Sequence, residues 1–296
     1  MRALVTGGAG FIGSHLVDAL LARGDAVSVV DDLSTGRREN VPDGVPLHVT
    51  DIATIGVAMA AERPEVVFHL AAQVDVRKSV ADPAHDARVN VAGTATVLEA
   101  ARVAGARRVL LASTGGALYG ESAPLPTPED AALEPFSPYG ASKAAAETYL
   151  ALYTRLHDLS TMALRFGNVY GPRQDPHGEA GVIAIFAGAA VERRPVTVYG
   201  DGSQTRDYVY VGDVVSGFLA AAGAAATGAV NIGTGVETSV LDLVEAIGVE
   251  PRFAPARKGE VARSCLDVSR AAEVLGWRAE VALAEGLERT LAAARA

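Results

Sequence analysis

Tyr139 and Lys143 are the residues whose types and spacing best suit proton transfer. They lie four residues apart in "SPYGASKAAAE", which predicts a helix, so both side chains project from one helix face about one turn apart. A lysine ammonium beside a tyrosine favours the phenolate and lowers a pKa that is ordinarily about 10. This spacing predicts a base and its activator. An isolated pair of this kind is more often a solvated surface pair, so the rest of the sequence decides.

A glycine-rich turn follows the first predicted strand. In "VTGGAGFIGSHL", Gly7, Gly10 and Gly13 stand between that strand and the first predicted helix. Glycines there permit a tight turn and let the backbone approach a pyrophosphate at the helix N-terminus. The turn therefore predicts a dinucleotide site.

An acidic residue supports the same interpretation and indicates which dinucleotide is bound. Asp31 ends the second predicted strand, 18 residues after Gly13. A carboxylate there accepts hydrogen bonds from the adenosine ribose hydroxyls and repels a 2′-phosphate, which favours NAD over NADP. Arg37 and Arg38 lie close enough in sequence to leave NADP as an alternative.

Short apolar runs alternate with helix-like stretches through the first two-thirds of the chain. This alternation indicates an α/β fold with a parallel sheet covered by helices on both faces. Beyond Gly171 the pattern loosens into a smaller second lobe. We predict a cofactor domain over residues 1–168, with about 207–233 returning to it. A substrate-binding domain is predicted over about 169–206 and 234–296.

Charge and composition exclude several classes of function. The net charge of −9 argues against binding to nucleic acid or to an anionic membrane surface. The longest apolar run, Ala180–Val191, is too short to span a bilayer. Cys265 is the only cysteine, so no internal disulfide forms, which fits a cytoplasmic protein. The six histidines show no metal-ligand spacing, and we expect His69 and Cys265 to be packed core residues.

Five motifs occur in order: "TGGAGFIGSHL", "HLAAQVDVRKSV", "ASTGGALYGE", "SPYGASKAAAE" and "LRFGNVYGPRQ". With them the whole chain resembles the extended short-chain dehydrogenase/reductase family. Within that family it is most similar to nucleotide-sugar epimerases of the UDP-glucose (UDP-galactose) 4-epimerase type. The resemblance implies a Rossmann-type doubly wound parallel sheet carrying NAD and a smaller C-terminal domain that binds a UDP-sugar.

The resemblance also assigns roles to residues. It makes Tyr139 the base and Lys143 the residue that binds the nicotinamide ribose and lowers the Tyr139 pKa, with Thr114 and Ser113 nearby. The residues that it places around NAD are Gly7, Gly10, Phe11, Ile12, Asp31, Asp32, Leu33, Ser34, Asp51, Ile52, Leu70, Ala71, Ala72, Asn90, Ser113, Tyr139 and Lys143. Those that it places on the nucleotide-sugar are Asn168, Arg206, Arg257 and Glu260.

The implied reaction is epimerisation at C4 through a 4-keto sugar, in a homodimer formed by the helix near residues 90–104 and the helix that carries Tyr139. Thr114 is followed by two glycines rather than Asp-Glu, which argues against a 4,6-dehydratase. A UDP-uronic acid 4-epimerase or decarboxylase remains an alternative, because the sequence does not indicate which residues recognise the sugar C6 group. Val74 also stands where some relatives have a lysine. A non-catalytic dinucleotide sensor is the alternative from another class.

One position departs from the family pattern. Relatives usually carry a serine or threonine four residues before the tyrosine of "STGGALYG", whereas here that position is Gly115. We expect a water to fill the gap and Thr114 to act as an auxiliary, so that Thr114→Val costs roughly tenfold or less in turnover. The alternative is that Thr114 swings toward the sugar and takes over the missing role.

Overall fold

The computed structural model describes residues 1–176, 181–256 and 261–295. In these ranges the strands are β1 Arg2–Thr6, β2 Ala26–Asp31, β3 Leu47–Val49, β4 Val66–His69, β5 Arg108–Thr114, β6 Ser160–Phe166, β7 Asn168–Tyr170, β8 Val196–Tyr199, β9 Thr205–Tyr210, β10 Gly228–Ile232, β11 Glu237–Ser239 and β12 Pro251–Ala254. The α-helices are α1 Phe11–Ala22, α2 Gly56–Glu62, α3 Val76–Ala81, α4 Pro83–Ala87, α5 Gly93–Ala104, α6 Pro138–His157, α7 Val182–Val191, α8 Val211–Gly223, α9 Val240–Ile247, α10 Ser269–Leu275 and α11 Leu283–Arg295. A π-helical turn, Arg88–Ala92, joins α4 to α5.

The main sheet has seven strands in the order β10-β6-β5-β4-β1-β2-β3, and every pairing is parallel. The strands are continuous apolar runs because helices cover both faces of the sheet. One face packs on α1 and α8, where the Phe218 ring contacts Phe68 and Phe166 edge-on. The other face packs on α2, α5 and α6. The predicted α/β class is confirmed.

The chain reverses direction across the sheet between β1 and β4, which are neighbours although β2 and β3 lie between them in sequence. Such a switch point opens a crevice at the carboxyl ends of the strands, where ligands bind in open α/β sheets. The glycine turn, Asp31, Leu70 and Thr114 all follow or end strands at this edge. The topology therefore gathers the predicted site residues along one edge.

The helix α6 carries Tyr139 and Lys143, and its start is defined by local chemistry. Ser137 is the N-cap, and its side chain accepts a hydrogen bond from the Gly140 amide at 3.1 Å. Pro138 occupies the first helical position, where the missing N–H has no helical partner to lose. This sharp start fixes the position of Tyr139 one residue into the helix.

A smaller lobe is built from two short sheets, β11-β9-β7 and β12-β8, packed against α7, α9 and α11. Its strand β9 contributes to both cores, because Tyr208 and Tyr210 pack in the smaller lobe and Val209 packs in the main core. The later helix α10 packs on β10 and α8, and Trp277 joins the main core. The boundaries predicted at about 207 and 234 stay predictions.

Candidate active site

The glycine turn after β1 leaves no room for a side chain at Gly7 or Gly13. Gly7 has a φ of +70°, and a Cβ at that position would lie 2.7 Å from the Ala71 amide nitrogen. A Cβ on Gly13 would lie 2.1 Å from the carbonyl oxygen of Gly7. No described side chain caps the helix at Gly10, so the amides around Phe11 and Ile12 remain available to an anion. This cradle fits the pyrophosphate of a dinucleotide.

Asp31 joins the end of β2 to the glycine turn. One carboxylate oxygen accepts from the Ala9 amide and the other from the Leu33 amide, each at 2.9 Å. Burial raises the pKa of Asp31, while the two amides act in the opposite direction. Asp32 accepts hydrogen bonds from the amide (2.9 Å) and hydroxyl (2.6 Å) of Ser34. The predicted adenosine-ribose residues thus form one compact turn beside the glycines.

The next predicted cofactor residues lie along the same edge. The Asp51 carboxylate accepts from the Ala53 amide at 2.7 Å, which caps a 3₁₀ turn. Ile52 in this turn is buried, and a Cβ on Gly93 would lie 2.5 Å from its Cδ1 atom.

The backbone after β4 is fixed by a buried hydroxyl. The amides of Leu70 and Ala71 donate to the Thr6 hydroxyl at 3.2 and 3.1 Å, and Ala72 follows directly. The Thr6 hydroxyl is therefore already an acceptor for two amides and is free to donate its own proton elsewhere.

His69 lies in the chain of buried hydrogen bonds beneath these amides. Its Nδ1 is 2.8 Å from the Thr6 hydroxyl and its Nε2 is 3.1 Å from the Thr94 hydroxyl, which donates to the Asn90 carbonyl at 2.6 Å. Because the Thr94 proton is used on Asn90, Nε2 carries the imidazole proton and Nδ1 accepts from Thr6. Burial lowers the pKa of His69 to about 3, and the charge of Lys143 acts in the same direction. His69 is a neutral structural residue.

Asn90 lies in the π-helical turn and holds the loop after β4. Its side-chain oxygen accepts from the Gln73 amide at 2.9 Å, and its Nδ2 donates to the Gln73 carbonyl at 2.9 Å. The same Nδ2 lies 3.0 Å from the Ser142 hydroxyl on α6, which in turn donates to the Tyr139 carbonyl at 2.9 Å. Asn90 thus ties the predicted cofactor loop to the helix that carries Tyr139.

The hydroxyl of Tyr139 forms a hydrogen bond with the side chain of Thr114 at the end of β5. Burial raises the pKa of Tyr139 to about 12, the charge of Asp86 acts in the same direction, and the Thr114 bond opposes both. This is the reverse of the shift that the sequence predicted. The reason is that the Lys143 ammonium donates to the Ala112 carbonyl at 3.1 Å, and the environment of the Tyr139 hydroxyl is dominated by burial.

Lys143 is 4% exposed. Burial lowers the pKa of this lysine to about 8, while the carboxylates of Asp86 and Glu147 act in the opposite direction. The Lys143 ammonium therefore loses its proton more readily than the ammonium of a surface lysine does.

Ser113 faces away from Thr114, as expected for successive residues of a strand. Its hydroxyl donates to the Glu147 carboxylate at 2.5 Å. Glu147 is paired with Arg165 at 2.6 Å, and Arg165 also donates to the Tyr119 hydroxyl at 2.6 Å. The structure therefore places Ser113 in a buried ionic network rather than beside the Tyr139 hydroxyl. Single-sequence motifs carried no signal for this network, because its members meet only across β5, β6 and α6.

The space beside Gly115 is filled by protein. A Cβ on Gly115 would lie 2.5 Å from Cδ2 and 2.7 Å from Cδ1 of Leu266, a side chain that is 1% exposed. The expected water-filled gap is therefore wrong, because the Leu266 methyl groups occupy that position. Thr114 remains the hydroxyl that contacts Tyr139.

Two of the predicted substrate residues, Asn168 and Arg206, lie on the smaller lobe. Asn168 begins β7, and its Oδ1 is 3.8 Å from the position of a Cβ on Gly116. Arg206 lies on β9 and donates to the Thr205 carbonyl at 2.8 Å. Arg257 and Glu260 lie outside the described residues.

A cavity of about 320 Å³ opens between the end of β5 and the smaller lobe. It is lined by both glycines that follow Thr114 and by Glu121 and Arg263, among others. Thr114 directly precedes the two lining glycines in sequence, and the walls of the cavity carry polar groups.

In the described parts of the chain, no group of three or more His, Cys, Asp or Glu side chains could hold a metal ion. None of the helices in those parts has the length and apolarity needed to cross a membrane.

Comparison with known proteins identifies the class to which this fold and site belong. Residues 3–233 match the model of the NAD dependent epimerase/dehydratase family. The chain therefore belongs to this family, and the resemblance inferred from the five motifs is confirmed.

Individual relatives are similar over their whole length. The UDP-glucose 4-epimerase of Mycolicibacterium smegmatis is 51% identical over 306 residues, which cover 98% of this chain and 97% of that protein. The crystal structure of the Thermotoga maritima UDP-glucose 4-epimerase with UDP-glucose superposes with a TM-score of 0.96 at 45% identity, over 99% of this chain and 98% of that one. The Thermus thermophilus UDP-glucose 4-epimerase in complex with NAD gives a TM-score of 0.93 at 46% identity, over 100% and 99%.

Proposed function

We propose that this protein is an NAD-using isomerase that inverts C4 of a UDP-sugar of the UDP-glucose/UDP-galactose type. The observation that carries the proposal is the Tyr139 hydroxyl, bonded to Thr114 at the sheet edge where the glycine turn and Asp31 also lie. A proton acceptor thus stands beside a dinucleotide cradle. The relatives at 51%, 45% and 46% identity, all UDP-glucose 4-epimerases, support the same activity.

The residues of the chain fit NAD. The first turn of α1 would hold the pyrophosphate, and Asp31 would accept from the adenosine ribose hydroxyls. When bound, NAD supplies a reversible two-electron oxidant for the sugar carbon. Asn90 would keep the loop after β4 against the cofactor through its two bonds to Gln73. Lys143 would bond the nicotinamide ribose.

Tyr139 performs the proton transfer in the proposed reaction. It takes the proton from the sugar 4-hydroxyl as C4 is oxidised, and it returns a proton to that oxygen when C4 is reduced on its opposite face. Thr114 holds the Tyr139 hydroxyl in place and favours its ionisation through their hydrogen bond. Oxidation and reduction cancel, so the net change is the configuration at C4.

The nucleotide end of the substrate must stay anchored while the 4-keto sugar turns over. Arginine suits this task because its planar guanidinium binds diphosphate oxygens in pairs. We assign this role to Arg206 and Arg257, with Asn168 and Glu260 as further contacts. Under this proposal the smaller lobe is the substrate-binding domain, and the cofactor domain comprises residues 1–168 together with about 207–233.

A panel of UDP-sugars tests the activity and separates it from the alternatives. UDP-glucose, UDP-galactose, the UDP-N-acetylhexosamines and UDP-glucuronic acid are each incubated with the protein and NAD, and products are followed by proton NMR. We expect UDP-glucose and UDP-galactose to reach one common mixture from either side. Conversion of UDP-glucuronic acid alone would favour a uronic acid 4-epimerase or decarboxylase. No turnover of any sugar would favour a dinucleotide sensor.

We propose a homodimer formed through α5 and α6. The outer face of these helices exposes apolar side chains, with Val103 71%, Leu156 64% and Tyr149 37% exposed. The Tyr153 hydroxyl donates to Glu99 at 3.3 Å, which joins the two helices into one surface. Light scattering at micromolar concentration should give twice the monomer mass, and Leu156→Glu should give the monomer. A monomeric parent protein would contradict the proposal.

The lone, buried Cys265 supports a reducing cytoplasm as the location that we propose.

A further inference from the structure

We infer that Asp86 is a positioning residue whose carboxylate balances the charge of Lys143 and so sets the pH range in which the Tyr139–Lys143 pair works. The inference deepens the proposed function and, in its activity readout, rests on it. Asp86 belongs to the short helix α4 and was not singled out by any sequence motif.

The contacts of Asp86 leave half of its carboxylate unused. The side chain is 1% exposed, and its Oδ1 atom accepts from Gln73 Nε2 at 2.8 Å and from Asn90 Nδ2 at 3.2 Å. Its Oδ2 atom is buried and has no hydrogen-bond partner in the part of the chain that the structure describes. Buried carboxylate oxygens are rarely left without a partner, and an electrostatic interaction with a nearby cation would offset the cost of burial.

The positive charge of Lys143 supplies that interaction with Asp86. The Lys143 ammonium is buried, and the partner of its Nζ atom is the uncharged Ala112 carbonyl. The carboxylates that favour its charged form are Asp86 and Glu147. Glu147 is already neutralised by Arg165, which binds both of its oxygens at 2.6–3.1 Å. Asp86 forms no ion pair within 4 Å among the described residues, so its charge is the one that matches Lys143.

The same carboxylate acts on Tyr139. After burial, the charge of Asp86 is the next influence that raises the pKa of Tyr139. Asp86 therefore pushes the proton loss of both Tyr139 and Lys143 to higher pH. Of the other titratable groups around the pair, His69 on β4 is neutral. Glu147 on α6 also favours the charged form of Lys143, but it is bound to Arg165 on β6.

The test compares Asp86→Asn with Asp82→Asn. Asparagine keeps an oxygen to accept from Gln73 and Asn90 at position 86 but removes the charge. Asp82 is exposed and caps α4 by accepting from the His85 amide at 2.9 Å, a cap that asparagine also provides. The control therefore makes the same chemical change on the same helix, away from Lys143.

The first readout needs neither cofactor nor substrate. The chain has three lysines, Lys78, Lys143 and Lys258, so the protein labelled with ¹³C at the lysine ε-carbons shows few NMR signals, and Lys143→Met assigns one of them. We expect the Lys143 signal to titrate at lower pH in Asp86→Asn than in the parent, by about one pH unit. Asp82→Asn and Asp86→Glu should leave it unchanged. Asp86→Ser gives a second neutral variant if Asp86→Asn does not fold.

The second readout is kcat against pH with UDP-glucose. We expect the optimum of Asp86→Asn to move to lower pH, whereas loss of a merely structural contact would lower kcat at every pH without moving the optimum. An unchanged Lys143 titration in both neutral variants would overturn the inference. A parent protein with no epimerase activity would overturn the proposed function instead, while the lysine titration would still decide the role of Asp86.

Discussion

The Leu266 side chain occupies the position that a Cβ on Gly115 would take, with its Cδ2 atom 2.5 Å away. The two residues are 151 positions apart in sequence and meet where the smaller lobe reaches the end of β5. Gly115 is therefore required by packing, and the hydroxyl expected at this position from the family resemblance has no room here. Thr114 is left as the hydroxyl bonded to Tyr139.

Gly115→Ser should destabilise the protein, because the new side chain overlaps a buried leucine. We expect a loss of about 1–3 kcal/mol in the free energy of unfolding, measured by urea denaturation. Gly116→Ser is the matched control, since a Cβ there meets its nearest atom, Asn168 Oδ1, at 3.8 Å. Adding Leu266→Ala to Gly115→Ser should recover part of the loss. Equal stability of Gly115→Ser and the parent would refute the packing argument.

Thr114→Val should lower kcat by about 100-fold, more than the tenfold or less expected from the sequence. The larger effect follows because Leu266 leaves no space for a substituting water beside Gly115. The Thr114 bond lowers the pKa of Tyr139, so its loss should also move the rising limb of the pH profile to higher pH. Ser113→Ala is the control, since Ser113 binds Glu147 instead. A loss in kcat of tenfold or less, with an unchanged pH profile, would contradict this prediction and support an auxiliary role for Thr114.

Sequence reasoning located the parts of the site that depend on local spacing. Tyr139 and Lys143 lie on one helix because they are four residues apart, and the glycine turn lies between β1 and α1 because of its position in the chain. The motifs did not indicate Asp86 or Leu266. Their contacts depend on which distant segments the fold brings together, and the spacing of residues in a single sequence does not indicate those contacts.

The predicted direction of the Tyr139 pKa shift is wrong for a related reason. Helical spacing places Lys143 near Tyr139 but says nothing about how deeply the hydroxyl is buried or which carboxylates surround it. Burial is the largest influence on both residues, and it is a property of the assembled sheet and helices. The π-helical turn that presents Asn90 likewise had no signature in the residue types.

Asp31→Ala should weaken NAD binding by about tenfold or more and NADP binding less, because only NAD benefits from a carboxylate at the ribose. Calorimetric titration of the protein with each cofactor measures both constants. Asp31 also accepts from the Ala9 and Leu33 amides, so Asp31→Asn separates the lost charge from a loosened turn. Equal affinity of the parent protein for NAD and NADP would contradict the NAD preference assigned to Asp31.

Lys143→Met should abolish most turnover and remove the pH dependence that Lys143 gives to the stability of the parent protein. Burial lowers the pKa of Lys143 to about 8, against 10.5 for an ordinary lysine. Between these values the unfolded chain binds more protons, so stability rises with pH across that window, and below it the buried charge is a cost.

We expect the stability of the parent relative to Lys143→Met to rise by up to about 3 kcal/mol in unfolding free energy between pH 7 and about pH 10.5. Urea denaturation at both pH values measures this, with the exposed Lys78→Met as control. The activity that remains should rise at high pH, as Tyr139 ionises. A stability difference that is the same at both pH values would contradict the prediction.

The most direct test of the account is the rate of C4 epimerisation in the parent and in Tyr139→Phe, followed by proton NMR from UDP-glucose in the presence of NAD. Phenylalanine keeps the ring and removes the proton acceptor, so NAD and UDP-sugar binding should persist while kcat falls by a factor on the order of 10³ or more. The parent should form UDP-galactose. Near-normal turnover in Tyr139→Phe would show that Tyr139 is not the base and would contradict the mechanism proposed for this site.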